Sequence, residues 1–398
     1  MHKAKNTNRP SKMLCKPQIV AQHFGPIEKA AITLRPLTIF VGESNTGKTY
    51  LSTLIFALHR AFGKQRNGTH LEVFTAELRR CFGVASVPEL IRLSGNSCDK
   101  MKIALRCSGN VFRLYASESE IRSEGEAPAA LGFCTEKGQS CAYYLPAGRR
   151  GIMQAHEAMA TAGQKQNLPM ADSGILTDFL KPIVGYQEGN GVANPMQRIA
   201  AALEAEVLRG VIEPKHPVPE SVAMDSLEFQ YRPRQAVRGL RLSQASSMVS
   251  ELAPLVLFLR SVVRPGDLLI MEEPEAHLHP AAQSQLAFTF ARLVRAGVCV
   301  VVTTHSDWFL QQIGNLIREG ELAGLGEKGG KPQEFLKKRE VGVWLFQKGC
   351  PVEEIKYNRI DGIEPSEYLD VAEELYNRAA GLQNRLEEMK GGSQFERK

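Results

Sequence analysis

Short runs of apolar and β-branched residues alternate with helical three- and four-residue spacing, the pattern of an α/β protein. Leu37–Val41 is such a run and ends at Gly42. It reads as a buried parallel strand, because a strand covered on both faces needs no polar alternation. Before it come a strand at Ile19–Val20, a turn at Phe24-Gly25-Pro26 and a strand at Ala31–Leu34. A helix is expected from Lys48 to Phe62, closed by Gly63. The same order returns late, with strand Leu268–Met271, helix Pro280–Arg295, strand Cys299–Thr303 and helix Asp307–Arg318.

Between these stretches the pattern is weaker. Val73–Cys81, Val87–Leu93, Ile152–Ala162 and Asn194–Leu208 have helical spacing. Met101–Arg106, Val111–Tyr115 and Ala142–Leu145 read as strands, and Ser117–Glu126 as a charged, solvated stretch. The Gly- and Lys-rich Leu322–Lys331 reads as a surface loop. Val343–Phe346 and Ile355–Tyr357 suggest a closing hairpin. From Ser366 to Met389, Leu369, Ala372, Leu375, Tyr376, Ala379, Leu382, Leu386 and Met389 form one apolar stripe on a helix. That stripe fits core packing within the subunit, or a docking face for a second copy or an effector.

Composition changes this picture little. No apolar run approaches the roughly 20 residues of a membrane helix, and Arg260 interrupts the best candidate, Leu252–Val263. Lys3, Lys5, Arg9, Lys12 and Lys16 form a basic lead-in without an apolar signal core. The 8 cysteines show no Cys-x-x-Cys pair, which argues against a zinc site or disulfide framework and fits a cytoplasmic protein. A net charge of +6 permits contact with DNA without arguing for it.

The chemistry lies at three strand ends. Gly42-Glu43-Ser44-Asn45-Thr46-Gly47-Lys48-Thr49 is a complete phosphate-binding loop between an apolar strand and a helix. Gly42, Asn45, Thr46 and Gly47 are expected to curl the backbone so that its N–H groups surround phosphates. Lys48 would reach the β- and γ-phosphates, and Thr49 would coordinate Mg²⁺. Glu272 and Glu273 end the apolar strand Leu268–Met271, at the edge where open α/β sheets bind ligands. The first acid would hold the Mg²⁺ shell, and the second would orient or activate an attacking water. His305 ends the next strand and can link a γ-phosphate to that water.

Together these motifs resemble the ATP-binding heads of the ABC superfamily, in its RecF, SMC and overcoming-lysogeny branch. The likeness lies in residues 18–62 and 226–310 and is weak between them. Glu272 through Ala276-His277-Leu278-His279-Pro280 is similar to the stand-alone prokaryotic members. The signature slot holds Leu242-Ser243-Gln244-Ala245-Ser246-Ser247-Met248-Val249-Ser250-Glu251-Leu252, which resembles their A-S-S-x-x-x-E-L variant rather than the L-S-G-G-Q of transporters. Ser246 also suits a plain helix N-cap; the resemblance implies that Ser246 and Ser247 face the γ-phosphate held by a second copy. Glu272 stands where many relatives carry Asp, and the metal-sensing glutamine has only Gln154 and Gln164 as candidates. Tyr143–Gly151 resembles a P-A-x-R stretch of such ATPases; Arg149 or Arg150 could touch phosphate or a carboxylate, or simply sit on a surface turn.

The resemblance implies an α/β P-loop head with a mixed sheet, an inserted helical lobe and a C-terminal amphipathic helix. The expected divisions are a flexible lead-in over 1–17, core over 18–62, inserted lobe over 63–225, core over 226–310, and hairpin with helix over 311–398. It further implies a cytoplasmic enzyme that hydrolyses ATP with Mg²⁺ at a site shared with a second copy. Length and signature form resemble ATPase components of bacterial anti-phage systems of the PARIS, Septu and retron types, which act with a separate effector. The alternative is a DNA-binding, RecF-like repair or chromosome-maintenance ATPase.

Overall fold

The computed structural model describes residues 16–63, 67–92, 100–128, 140–161, 174–187, 194–215, 228–326, 331–332, 334–363 and 374–385. Its main sheet has six strands. β3 (Leu37–Gly42) lies between β13 (Val341–Phe346) and β12 (Cys299–Thr304); β11 (Leu268–Glu272) and β7 (Ala142–Leu145) follow on the β12 side. These five run parallel, while β14 (Glu353–Ile355) closes the other edge antiparallel to β13. The sheet is therefore mixed, and its parallel part places the carboxyl ends of β3, β11 and β12 side by side.

The apolar runs are unbroken because both faces are covered. On one face Ile39, Met271, Val302 and Val343 join a cluster with α6 (Ser247–Ser261), α7 (Pro280–Arg295) and α8 (Asp307–Gly324). On the other, Phe40, Ile270, Val301 and Trp344 join a cluster with α1 (Lys48–Phe62) and α2 (His70–Phe82). Above α1 sits a five-stranded antiparallel sheet of β1 (Gln18–Phe24), β2 (Ile27–Thr33), β4 (Met101–Cys107), β5 (Asn110–Ala116) and β6 (Ile121–Gly125). A smaller sheet joins β8 (Gly210–Lys215), β9 (Glu228–Pro233) and β10 (Leu240–Arg241).

The middle of the chain is woven into both large sheets. β4–β6 extend the N-terminal sheet, and β7 forms an edge of the main one beside the acidic strand β11. The charged stretch at 117–126 contains β6, whose charged and exposed residues suit the sheet edge it occupies. Val87–Leu90 forms a 3-10 turn rather than a longer helix. Helix α4 (Gly174–Val184), which contains Pro182, and strands β8–β10 were not foreseen. The helix α5 (Pro195–Leu203), capped by Asn194, ends in a wide turn at Glu204–Leu208. That turn aims the buried Glu204 at the Ile212 N–H and Arg260.

Other departures are local. α8 runs on to Gly324, into the stretch expected to be a loop. Cys107 is disulfide-bonded, against the reading from scattered cysteines, while Cys81, Cys141 and Cys350 carry free thiols. Residues 374–385 are helical, but Leu375, Tyr376 and Leu382 are exposed, so this part of the stripe does not enter the core. The basic lead-in before residue 16 and the rest of the expected Ser366–Met389 stripe lie outside the described residues. Among the described residues, no helix is long and apolar enough to cross a membrane.

Candidate functional site

The phosphate loop is built by backbone conformations that few residues tolerate. Gly42 has φ 129° and Gly47 has φ 106°, with Asn45 also left-handed at 63°. A Cβ on Gly47 would fall 2.5 Å from Ile27 Cγ1, so the β1–β2 hairpin braces the loop from outside. Thr46 Oγ1 donates to the Glu43 carbonyl at 2.7 Å and tightens the curl. Lys48, the first residue of α1, is buried, and its ammonium donates to the Gly42 carbonyl at 2.8 Å and to that of Glu43. The side chain thus folds back over the loop it would share with a phosphate. Thr49 is exposed beside it.

Burial and hydrogen bonds divide the acid pair. Glu272 is buried; its Oε1 accepts from the Tyr144 hydroxyl at 2.8 Å and its Oε2 from the Ala147 N–H at 3.1 Å. Glu273 is half-exposed, with φ 40°, a left-handed conformation costly for a residue with a Cβ. Its N–H donates to the Thr303 carbonyl at 2.9 Å, and its own carbonyl accepts from Arg149 Nη2 at 3.2 Å. Held on both sides, the backbone turns the Glu273 carboxylate toward His305, whose Nε2 lies 3.9 Å from Oε1.

His305 follows β12, with its N–H bonded at 2.7 Å to Glu275 Oε1, which also accepts from Thr304 Oγ1 at 2.7 Å. Burial, then the charge of Lys48, push the His305 pKa down, against an opposing pull from Glu273. Burial pushes the Glu275 pKa up. A depressed histidine pKa keeps the ring neutral at pH 7; the stability that goes with it is fully present above the ordinary imidazole value and is lost as pH falls from there through the folded value. Turnover is therefore expected to stay level from pH 7 to 8 and to fall below the ordinary imidazole range near about 6.5. A pH–rate profile checks this: His305→Asn should remove the acid limb that imidazole protonation contributes, and a rate that rises on acidification would refute it.

The signature segment stands elsewhere. Ser246 caps α6, its Oγ accepting from the Val249 N–H at 3.4 Å, and Ser250 Oγ donates to the Leu242 carbonyl at 2.6 Å. Ser246 is exposed and Ser247 half-buried, while α6 packs on the face of the sheet opposite α1. The fold thus gathers Lys48, Glu272, Glu273 and His305 at adjoining strand ends and leaves Ser246 and Ser247 in the other layer.

Residues 193–310 match the family model of an AAA ATPase domain. That span contains α6, the acid pair and His305, and leaves the phosphate loop outside it. A search of curated proteins finds no match. Among solved structures, an Smc head domain with extended coiled coil bound to the C-terminal domain of ScpA, from Pyrococcus furiosus, is similar at 11% identity, with 91% of this chain and 100% of that one covered and a TM-score of 0.48. The SMC head domain from Thermotoga maritima shares 12% identity over 86% and 99% of the two chains, with a TM-score of 0.40. An Smc head domain with coiled coil and joint from Pyrococcus yayanosii shares 10% over 91% and 100%, with a TM-score of 0.48.

The residues present suit Mg²⁺. Each Glu272 oxygen accepts one hydrogen bond and keeps a free lone pair for a metal-bound water. With the Thr49 hydroxyl this is an oxygen-only donor set, and Mg²⁺ takes one or two protein groups besides phosphate and water. Among the described residues no group of three or more His, Cys, Asp or Glu could hold an ion alone.

Several partners of the site were missed at the sequence level. Tyr144 links Glu272 to Ser52 Oγ at 2.9 Å on α1. Glu275 belongs to the same acidic run yet braces His305. Of the two readings left open for Arg149, burial excludes the surface turn, and the carboxylate contact is present, with Nε 3.4 Å from Glu251 Oε2. Gln154 is half-buried on α3 (Arg149–Thr161), and Gln164 lies outside the described residues. The strand end beside the acids is taken instead by Pro146-Ala147-Gly148-Arg149.

Proposed function

We propose that this protein is an ABC-type ATPase that hydrolyses ATP at a site shared between two copies. The observation that carries this reading is the convergence of Lys48, Glu273 and His305 while Ser246 is presented from the opposite layer. The loop N–H groups and Lys48 would bind the triphosphate, and Thr49 with Glu272 would hold Mg²⁺, which supplies charge neutralisation at the phosphates. Glu273 accepts a proton from water, and His305, kept neutral, helps to hold that water in line. The exposed N-terminus of α6 offers hydroxyls and N–H groups to a phosphate bound by another copy.

Nucleotide then acts as the clasp between two heads, and hydrolysis releases them. The Ala245-Ser246-Ser247 form favours a sensor working with a separate effector in anti-phage defence over a transporter subunit. Copurification with the products of neighbouring genes tests that role, and salt-sensitive DNA binding by the chain alone would favour the RecF-like alternative instead.

Sharing has a direct test. Lys48→Ala and Ser246→Arg chains are each expected to be inactive. Mixed, they should regain part of the activity, because one of the two composite sites in each mixed dimer is intact. Failure to regain it, with mixed dimers demonstrated by mass, would mean that the site is complete within one chain.

A further inference from the structure

The turn Pro146–Arg150 touches both parts of the site that the fold keeps apart. Arg149 donates from Nη1 to the Glu272 carbonyl at 2.5 Å and to that of Pro146 at 2.8 Å, and from Nη2 to that of Glu273 at 3.2 Å. Its Nε donates to the Glu251 carbonyl on α6 at 3.0 Å and lies 3.4 Å from Glu251 Oε2. The next residue points the other way. Arg150 donates from Nη1 to Ser247 Oγ, the first residue of α6, and from its backbone N–H to Glu251 Oε1 at 3.3 Å.

A fully buried guanidinium is a poor device for stability, since an apolar side chain of similar size commonly replaces a buried ion without loss. Its value lies in what it holds. The two carbonyls that Arg149 fixes belong to the acid pair, and one of them is on the residue whose left-handed backbone aims the catalytic carboxylate. Arg150 instead fixes the hydroxyl at the helix end offered outward.

We propose that Arg149 and Arg150 are positioning residues for two different hydrolysis sites. Arg149 holds the acids of its own subunit's site. Arg150 holds the Ser247 surface that its subunit lends to a second copy. This rests on the shared-site reading above and adds an assignment of sides.

The test mixes chains. Arg149→Lys and Arg150→Ala should each bind ATP with near-normal affinity and lose turnover by about 10- to 100-fold, the usual cost of freeing a group that orients a reacting one. Arg150→Ala should be rescued by Lys48→Ala chains, which lend an intact signature surface, and not by Ser246→Arg chains. Arg149→Lys should show the mirror image, rescued by Ser246→Arg, whose own acids are intact, and not by Lys48→Ala. Rescue of both variants by the same partner, or by neither, overturns the proposal provided that Lys48→Ala with Ser246→Arg recovers activity. Without that recovery the shared site itself fails, and this assignment falls with it. Thermal melting accompanies each assay; an Arg149→Lys chain unfolded at assay temperature would make Arg149 structural and overturn its half, while the half-buried Arg150 decides the other.

Discussion

Glu273→Gln is expected to bind ATP as the wild type does and to release phosphate at least about 100-fold more slowly, within the range that a general base contributes. The amide matches the carboxylate in size and can still meet His305 across the 3.9 Å that separates Nε2 from Oε1. It cannot accept the proton that water must lose. Binding should persist because the loop, Lys48 and the buried Glu272 are untouched. The backbone at 273 stays left-handed, held by Thr303 and Arg149. ATP affinity by titration, with single-turnover phosphate release beside it, separates the two effects. Release at the wild-type rate would remove Glu273 from its role.

Gly42→Ala is expected to abolish nucleotide binding and to lower stability by on the order of 3 kcal/mol, the upper range for a forced backbone outlier. Gly42 pairs with Phe346 across β3 and β13, and a Cβ there would fall 2.0 Å from the Phe346 carbonyl oxygen. Its φ of 129° is also strained for any L-residue with a side chain. The clash is with backbone on both sides, so no rotamer relieves it. Relief must separate the strands at the point where the loop begins. Gly83→Ala makes the control: at φ 65° it shares the left-handed strain, but nothing lies within 4 Å of its Cβ. It should cost about 1 kcal/mol, the lower end for a left-handed residue with a Cβ, and leave ATP binding intact. Urea unfolding with ATP titration compares the two, and equal stability losses would show that the close approach at Gly42 is not what matters.

The segments legible in the sequence are those whose local physics is strong. The strands at 37–42, 268–272 and 299–304 are apolar but for Thr38 and their carboxyl ends, because both their faces are covered, so length and end signals sufficed to place them. Lys48–Phe62 and Pro280–Arg295 have clear starts and stops and matched residue for residue. Helix α4 carries an internal proline and β6 carries its charge on an edge, so local pattern there argued against the structure that formed. Helix α4 is held by α2, β7 and α6, distant in sequence, while β6 is held by its hairpin with β5.

The chain by itself determined that three chemical groups would stand at strand ends: a glycine-permitted loop with Lys48, an acid pair, and His305. Each follows from short-range pattern, and parallel strands bring their carboxyl ends to one edge. Only the tertiary structure decided how the two acids differ, because the Tyr144 hydroxyl and the Ala147 N–H that hold Glu272 come from a strand and the turn after it, more than a hundred residues away. It alone chose between the two readings open for Arg149, a surface turn or a carboxylate contact, by burying it. A guanidinium is buried only where carbonyls and a carboxylate converge from separate segments, and that convergence of Glu251, Glu272 and Glu273 is a property of packing that no local run of residues encodes.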